Sequence, residues 1–129
     1  MSTASPPGVS EIGQIAIVVK DVTQATRFYR DVLGLKFLFS AGPNLAFLQA
    51  ATVRLMLTTP EGQGEVGKNS VIYFKVDDLP RTHAAVVGRG AKNERAPGMI
   101  AKMPDHELWM AFVRDPDSNL VGLMSEVRN

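Results

Sequence analysis

The sequence predicts an α+β fold made of two tandem βαβββ modules. Within residues 14–34 the hydrophobic spacing changes from the short β-branched run of a strand to the three- and four-residue spacing of an amphipathic helix. Three short apolar runs bounded by turn residues follow before Thr59. The pattern then starts again, because residues 71–78 overlay residues 14–21 at an offset of 57. The unit occurs twice, and one copy cannot bury its sheet face alone. We therefore expect the two copies to pair into one curved sheet.

The first module is bounded by clear helix signals. Asp21 is a favourable N-cap, and Gly34 stands where a left-handed C-cap is needed. The helix between them has one apolar face, formed by Val22, Ala25, Phe28, Tyr29, Val32 and Leu33. The runs LKFLFSAG, NLAFLQA and TVRLMLTTP then predict three successive strands, most simply an antiparallel meander.

The second module has the same order with one irregular part. Its helix has Pro80 near the first turn and Gly88 and Gly90 at its end. The segment 91–107 predicts a strand plus a loop, and the runs LWMAFVRD and NLVGLMSEV predict two strands joined by a tight turn. We therefore expect a flexible N-terminal lead at 1–11 and one domain at 12–126. Its parts are module one at 12–59, a glycine-rich linker at 60–69 and module two at 70–126.

Composition narrows the function classes. The 129 residues have a formal net charge of +1, which gives no basic surface of the kind that nucleic acids need. The chain has no cysteine, so disulfides, zinc–thiolate sites and cysteine nucleophiles are excluded. No apolar run approaches the roughly 18 residues of a membrane span, and the N-terminus lacks the features of a secretory signal. We expect a cytoplasmic protein with no membrane or nucleic-acid partner.

Three motifs in repeat register point to a known family. They are the strand and helix from Ile15 to Gly34, FKVDD at 74–78 and FVRDPDSN at 112–119. Together they resemble the vicinal oxygen chelate superfamily, which includes glyoxalase I, bleomycin-resistance proteins and extradiol dioxygenases. The resemblance implies a U-shaped, mostly antiparallel mixed sheet around a cavity, helices on the outer face, and a homodimer. One fold supports many chemistries, so function has to be argued from the site.

The resemblance also implies where metal-dependent members carry their ligands. The matching positions are Gln14, Met56, Val71 and Gly122. Only the glutamine offers a hard oxygen ligand, because valine and glycine carry no donor and a thioether binds these divalent ions poorly. We therefore expect no metal or other cofactor at the usual place, and a divalent metal is the disfavoured alternative.

Strand period predicts which residues face the cavity. If Gln14 and Met56 point inward, Arg54 does so too, and Tyr73 and Met124 follow in module two. The opposite faces are almost entirely aliphatic or aromatic, as expected where helices cover a sheet. An apolar wall with a few convergent polar groups is typical of a small-molecule site. The candidate ligand-binding residues are Gln14, Arg54, Met56, Tyr73, Trp109 and Met124.

Several candidates have a second interpretation. Arg54 would pair with an anionic group of a ligand, or with Glu107 or an aspartate at the rim. Tyr73 would hydrogen-bond a ligand or pack on the sheet. Trp109 would stack on a flat ligand, or belong to the core or to a dimer interface. Met56 and Met124 would form an adaptable wall or simply fill space.

Catalysis is left open by the sequence, with His106, Tyr73 and Glu107 as the candidate residues. His106 and Glu107 are adjacent at a strand entrance, so a regular strand points them to opposite faces and they cannot chelate one ion together. They form a solvated pair at a loop–strand junction, or His106 is a mobile general base at the cavity rim. We interpret His83, in the second helix, as a surface or packing residue.

The residues favour a glyoxalase/bleomycin-resistance/dioxygenase-like protein that binds a small, partly apolar organic molecule without the usual metal centre. Whether that molecule is anionic, and whether the protein is an enzyme, stay open. The alternative is a metal-dependent lyase or dioxygenase resembling lactoylglutathione lyase. The near-neutral charge argues against a large cationic ligand such as bleomycin itself.

Overall fold

The computed structural model describes residues 7–60 and 65–128, so most of the predicted lead and part of the predicted linker lie outside the described residues. Module one comprises, in chain order, β1 (Gln14–Val18), α1 (Val22–Arg27) with a π-helical continuation (Phe28–Val32), β2 (Lys36–Ser40), β3 (Leu45–Ala50) and β4 (Val53–Thr58). Module two comprises β5 (Ile72–Lys75), α2 (Leu79–Gly88), β6 (Lys92–Lys102), β7 (His106–Arg114) and β8 (Leu120–Arg128). The repeated βαβββ order is confirmed.

Each module forms its own four-stranded sheet. The strand order is β1-β4-β3-β2 in sheet 1 and β5-β8-β7-β6 in sheet 2. The first strand of each module runs parallel to the last, and the other neighbours are antiparallel. The α+β class with mixed, mostly antiparallel sheets is therefore confirmed. The backbone hydrogen bonds form two open four-stranded sheets. They do not form the one continuous curved sheet that was predicted, because β1 and β5 are both edge strands and do not pair with each other.

The helix signals have the predicted geometry. The side chains of Asp21 and Asp78 accept hydrogen bonds from the backbone N–H of Gln24 and Arg81, each at 3.1 Å. Gly34 has a φ of 88°, the left-handed conformation that glycine adopts without a steric penalty. These residues fix where each helix starts and where the first one ends. None of the helices in the described part of the chain is long and apolar enough to span a membrane.

Two segments have irregular geometry within the predicted pattern. The helix from Asp21 widens into a π-helical turn, in which the backbone N–H of Leu33 donates to the carbonyl of Phe28 at 3.0 Å. The prediction of a strand plus a loop at 91–107 is confirmed, because the strand Lys92–Lys102 is followed by a loop at 103–105 before β7. Its pairing with β7 shifts register at three places, and these irregularities accommodate Pro97 and Gly98 within a continuous strand.

The helices cover one face of each sheet, and the core lies there. In sheet 1 this face carries Leu55 and Leu57, which are at most 2% exposed, and in sheet 2 it carries Val121 and Leu123. Val22, Ala25, Phe28 and Tyr29 contribute from the first helix, and Leu79 and Val86 contribute from α2. The residues that two-residue alternation assigned to the helix-facing side are therefore the buried ones, as predicted.

Asp115 is buried where the two modules meet, with 5% of its surface exposed. Its carboxylate accepts hydrogen bonds from the hydroxyl of Tyr29 at 2.7 Å and from the backbone N–H of Asp117 at 2.9 Å. It also accepts from the backbone N–H and the side-chain amide of Asn119, both at 2.8 Å. Burial and the Asp115 carboxylate raise the pKa of Tyr29 far above its ordinary value, so the hydroxyl stays protonated. The first helix is thereby fastened to the β7–β8 turn.

The side chain of Asn69 makes a second link between the modules. Its amide accepts from the backbone N–H of Val18 at 3.0 Å and donates to the carbonyl of Val18 at 3.1 Å. It also donates to the side chain of Asn119 at 2.9 Å. One amide thus pairs with the outer edge of β1 as a neighbouring strand would, and it satisfies two backbone groups there.

Candidate functional site

The helices leave one side of each sheet uncovered, and we call this side the open face. Cross-strand registers place on the open face of sheet 1 the residues Gln14, Ala16, Lys36, Phe39, Phe47, Gln49, Arg54 and Met56. The open face of sheet 2 carries Tyr73, Lys75, His106, Leu108, Met110, Phe112, Gly122, Met124 and Glu126. The faces predicted from strand period agree with these registers. Ligand binding by the candidate residues on these two faces stays a prediction.

Arg54 is held by neighbours on the open face of sheet 1. Its Nε donates a hydrogen bond of 2.7 Å to Oε1 of Gln14, and its guanidinium carbon lies 5.3 Å from the ring centroid of Phe47. The residue is exposed, and in the ranges 7–60 and 65–128 it forms no ion pair, neither with Glu107 nor with an aspartate. Neither intramolecular pair that the sequence left open is formed in these ranges, and Arg54 is a solvent-facing cation oriented by Gln14 and Phe47.

Aromatic rings extend this arrangement along sheet 1. Phe39 stacks on Phe47 with ring centroids 4.6 Å apart and an interplanar angle of 27°. Phe39 remains 47% exposed, which is a large exposed fraction for a phenylalanine. Met56 lies directly across from Phe47 in the register of β3 and β4. The open face of sheet 1 is consequently apolar in its middle and cationic along one side.

In sheet 2 the ring of Tyr73 lies on Gly122. A Cβ atom built on Gly122 would come within 2.5 Å of Cδ2 of Tyr73, closer than any real contact. The same ring meets Phe112 edge to face, with centroids 5.8 Å apart. Gly122 therefore provides the space in which the Tyr73 ring sits.

His106 lies at the end of the same open face beside two carboxylates, each of which also pairs with a cation. Its Nδ1 is 2.7 Å from Oδ1 of Asp105, and its Nε2 is 3.9 Å from Oε2 of Glu126. The hydrogen bond with His106 is the main cause that lowers the pKa of Asp105, and Arg128 adds to the effect. Lys75 approaches Glu126 at 3.5 Å. An imidazole oriented through Nδ1, with Nε2 beyond hydrogen-bond distance of Glu126, suits proton transfer, and His106 stays a candidate general base.

Glu107 and Trp109 point to the opposite face. Glu107 accepts a hydrogen bond from the indole N–H of Trp109 at 3.1 Å. Both line a cleft of about 360 Å³ beside Leu79 and Pro80 at the start of α2. His106 and Glu107 are thus on different faces, as an alternating strand requires. The structure separates Trp109 and Glu107 from Gln14, Arg54 and the other candidates of the open faces.

Comparison with known proteins assigns the family. The model of the Glyoxalase/Bleomycin resistance protein/Dioxygenase superfamily matches residues 11–123. The chain belongs to this superfamily. It is 29% identical over 124 residues to the uncharacterized protein YraH of Bacillus subtilis (strain 168), covering 84% of this chain and 92% of that protein.

Two solved structures of the superfamily fold are similar at low sequence identity. One is TnmS3, an antibiotic binding protein from Streptomyces sp. CB03234, with a TM-score of 0.74, 21% identity and coverage of 94% and 99% of the two chains. The other is a lactoylglutathione lyase from Agrobacterium tumefaciens, with a TM-score of 0.72, 21% identity and coverage of 94% and 96%. At this identity the likeness establishes the fold and leaves the chemistry to the residues of the site.

The four positions where metal-dependent superfamily members are expected to bind metal do not fit a metal here. Gln14 uses its amide oxygen for Arg54, and its amide nitrogen lies 3.7 Å from the sulfur of Met56. Val71 has no donor atom, and the ring of Tyr73 covers Gly122. In the described ranges, no group of three or more His, Asp, Glu or Cys side chains is placed to hold a metal ion. We therefore derive no reaction step through a metal.

Sequence reasoning missed the aromatic part of sheet 1 and the carboxylates near His106. Phe39 could not be assigned to a face, because β2 is irregular between Phe37 and Phe39 and the alternation shifts there, and Phe47 in the regular strand β3 was overlooked. Glu126 approaches His106 through the pairing of β7 with β8, whereas Asp105 contacts it as its neighbour in the chain. The signal that could have found Phe47 is its two-residue alternation with Leu45 and Gln49.

Proposed function

We propose that this superfamily member binds a small, partly apolar, anionic organic molecule on its open faces without a metal centre. One observation carries the proposal: three of the four metal-ligand positions, Gln14, Met56 and Gly122, make other contacts. Gln14 orients the exposed cation Arg54, and Gly122 seats the ring of Tyr73. Positions that are expected to bind metal in metal-dependent superfamily members therefore support an exposed cation and an aromatic ring in this chain.

The composition of the open faces supports this class of ligand. Methionine and aromatic side chains form the middle of both faces, and they offer apolar contact that adapts to a ligand's shape. Arg54 and Lys36 supply positive charge on sheet 1 for a carboxylate or phosphate. The similarity to an antibiotic binding protein supports small-molecule binding on this fold.

A metal add-back experiment tests the metal-free part. We expect untagged protein to contain no stoichiometric metal by elemental mass spectrometry, and Ni, Zn, Mn or Fe to leave the midpoint of thermal unfolding unchanged. A small organic acid at about 100 times its Kd should raise the midpoint by several degrees, because such binding adds about 2.7 kcal/mol of stability. Stoichiometric metal, or stabilisation by one of these ions, would contradict the proposal.

The second candidate function is a metal-dependent lyase or dioxygenase. The observations that favour it are the amide oxygen of Gln14 at a ligand position and the structural similarity to a lactoylglutathione lyase. Recovery of activity on adding one metal ion would select this function. The same preparation therefore decides between the two candidates.

We also propose that the protein is a homodimer in which a second copy partly covers the open face of sheet 2. Tyr73 lies on this face and is 45% exposed. Burying such apolar surface on association is favourable by about 25 cal/mol per Å². Light scattering should give about twice the 14.0 kDa of one chain, and Tyr73→Lys should shift the mass toward that of one chain. A single 14.0 kDa species at every concentration would refute the dimer.

A further inference from the structure

Arg54, Phe47 and Phe39 form a continuous column on the open face of sheet 1. The guanidinium carbon of Arg54 is 5.3 Å from the centroid of Phe47, and Phe47 is stacked on Phe39 at 4.6 Å. The column therefore has a cation at one end and a half-exposed aromatic ring at the other. Both ends are accessible to a ligand that lies across the face.

The hydrogen-bonding capacity of Arg54 is mostly unused. A guanidinium has five N–H donors, and Nε alone is engaged, by Gln14. In the part of the chain that the structure describes, neither terminal nitrogen of Arg54 has a hydrogen-bond partner. Because Nε and the ring of Phe47 fix the orientation, the two terminal nitrogens present a pre-organised edge for two parallel hydrogen bonds to a carboxylate.

The charge around this edge is of one sign. Lys36 lies in the same cross-strand row as Arg54, with Gln49 between them and Gln14 at the end. None of the open-face residues of sheet 1 named above is acidic. A ligand anion at Arg54 thus lies on a row that carries two cations and, among the described residues of this face, no carboxylate, and this favours an anion over a cation or a neutral molecule.

We propose that the open face of sheet 1 selects flat aromatic carboxylates. The carboxylate lies on the terminal nitrogens of Arg54, and the aromatic ring lies against the exposed ring of Phe39. This inference rests on the proposed function, since it names the ligand class of the same surface. It adds a requirement for an aromatic ring, which an apolar acid of equal size would not meet.

Titration of ¹⁵N-labelled full-length protein with three matched probes tests the inference by NMR. The probes are 2-naphthoate, its saturated analogue decahydro-2-naphthoate, and the neutral 2-naphthamide. We expect 2-naphthoate to shift amide signals of β3 and β4 and to bind roughly three- to tenfold more tightly than the saturated acid. The neutral amide should bind about 10- to 100-fold more weakly than 2-naphthoate, because it lacks the charge-assisted pair.

Variants assign the effect to the column. Arg54→Gln should remove the preference for the acid over the amide, and Phe39→Leu should remove the preference for the aromatic over the saturated ring. Arg54→Lys, which keeps the charge and loses the planar fork, should fall between wild type and Arg54→Gln. Arg81→Gln is the matched control, because it removes one exposed positive charge on α2, remote from the column, and should leave all three affinities unchanged.

The outcomes separate this inference from the proposed function. Equal binding of the aromatic and saturated acids, with loss of both in Arg54→Gln, would overturn the aromatic requirement and leave the proposed function standing. Binding that is unchanged in Arg54→Gln would overturn the assignment to this face. The absence of signal shifts on either open face with any organic acid would overturn both.

Discussion

Asp115→Ala is expected to lower the free energy of unfolding by about 3–5 kcal/mol, the largest effect that we predict for a single substitution. The carboxylate is 5% exposed and accepts four hydrogen bonds. Removing it leaves the donors of Tyr29, Asp117 and Asn119 without their acceptor in a place that water reaches poorly. Urea unfolding followed by circular dichroism measures the change.

Two further variants show whether this loss comes from the hydrogen bonds of Asp115 between the modules. Tyr29→Phe removes one of the four donors and should cost about 1.5–3 kcal/mol, the range for a hydrogen bond to a charged group. Asp31→Ala is the control, because Asp31 is an exposed carboxylate paired with Arg30 and should leave stability nearly unchanged. If Asp115→Ala loses no more stability than the control, the hydrogen bonds of Asp115 do not hold the modules together.

Gly122→Ala is expected to destabilise the protein by about 1–3 kcal/mol through overpacking. The added methyl group would stand 2.5 Å from Cδ2 and 3.0 Å from Cγ of Tyr73, so the whole ring has to leave its place against Phe112. Urea unfolding gives the loss of stability, and the ring signals of Tyr73 in NMR spectra report its displacement.

A double variant isolates the clash between the methyl group and the ring. In Tyr73→Ala/Gly122→Ala the ring is absent, so the glycine substitution should cost much less than it does alone. A second control is Gly98→Ala, since a Cβ at Gly98 meets no atom within 4 Å. Equal losses for Gly122→Ala with and without the Tyr73 ring would show that the ring does not occupy this space.

Much of the fold followed from local signals. Asp21 and Gly34 mark where the first helix begins and ends, and the offset of 57 predicted the second module. Two-residue alternation assigned Arg54 and Tyr73 to the open faces because strands β1, β4, β5 and β8 are regular. Where a strand is irregular, as in β2 and β6, the alternation shifts and the sequence no longer shows which side a residue faces.

The partners of the candidate residues could not be predicted in the same way. Arg54 was predicted to be a polar residue that faces the cavity. Its contact with Gln14, however, depends on the parallel register of β1 with β4, which brings together residues 40 positions apart. The contact of Tyr73 with Gly122 depends likewise on the register of β5 with β8. Registers are set by the packing of the whole module, so a single sequence predicts the face and leaves the neighbour undetermined.

The parallel pairing of the first and last strands has a consequence for cooperativity. Each module has a complete four-stranded backbone ladder of its own, and the links between modules described above are made by the side chains of Asn69 and Asp115 together with apolar packing. One module can therefore open without breaking the ladder of the other, and hydrogen exchange should resolve two protected units. Separate units of this kind allow the binding surface of sheet 1 to diversify by mutation while sheet 2 preserves its own fold.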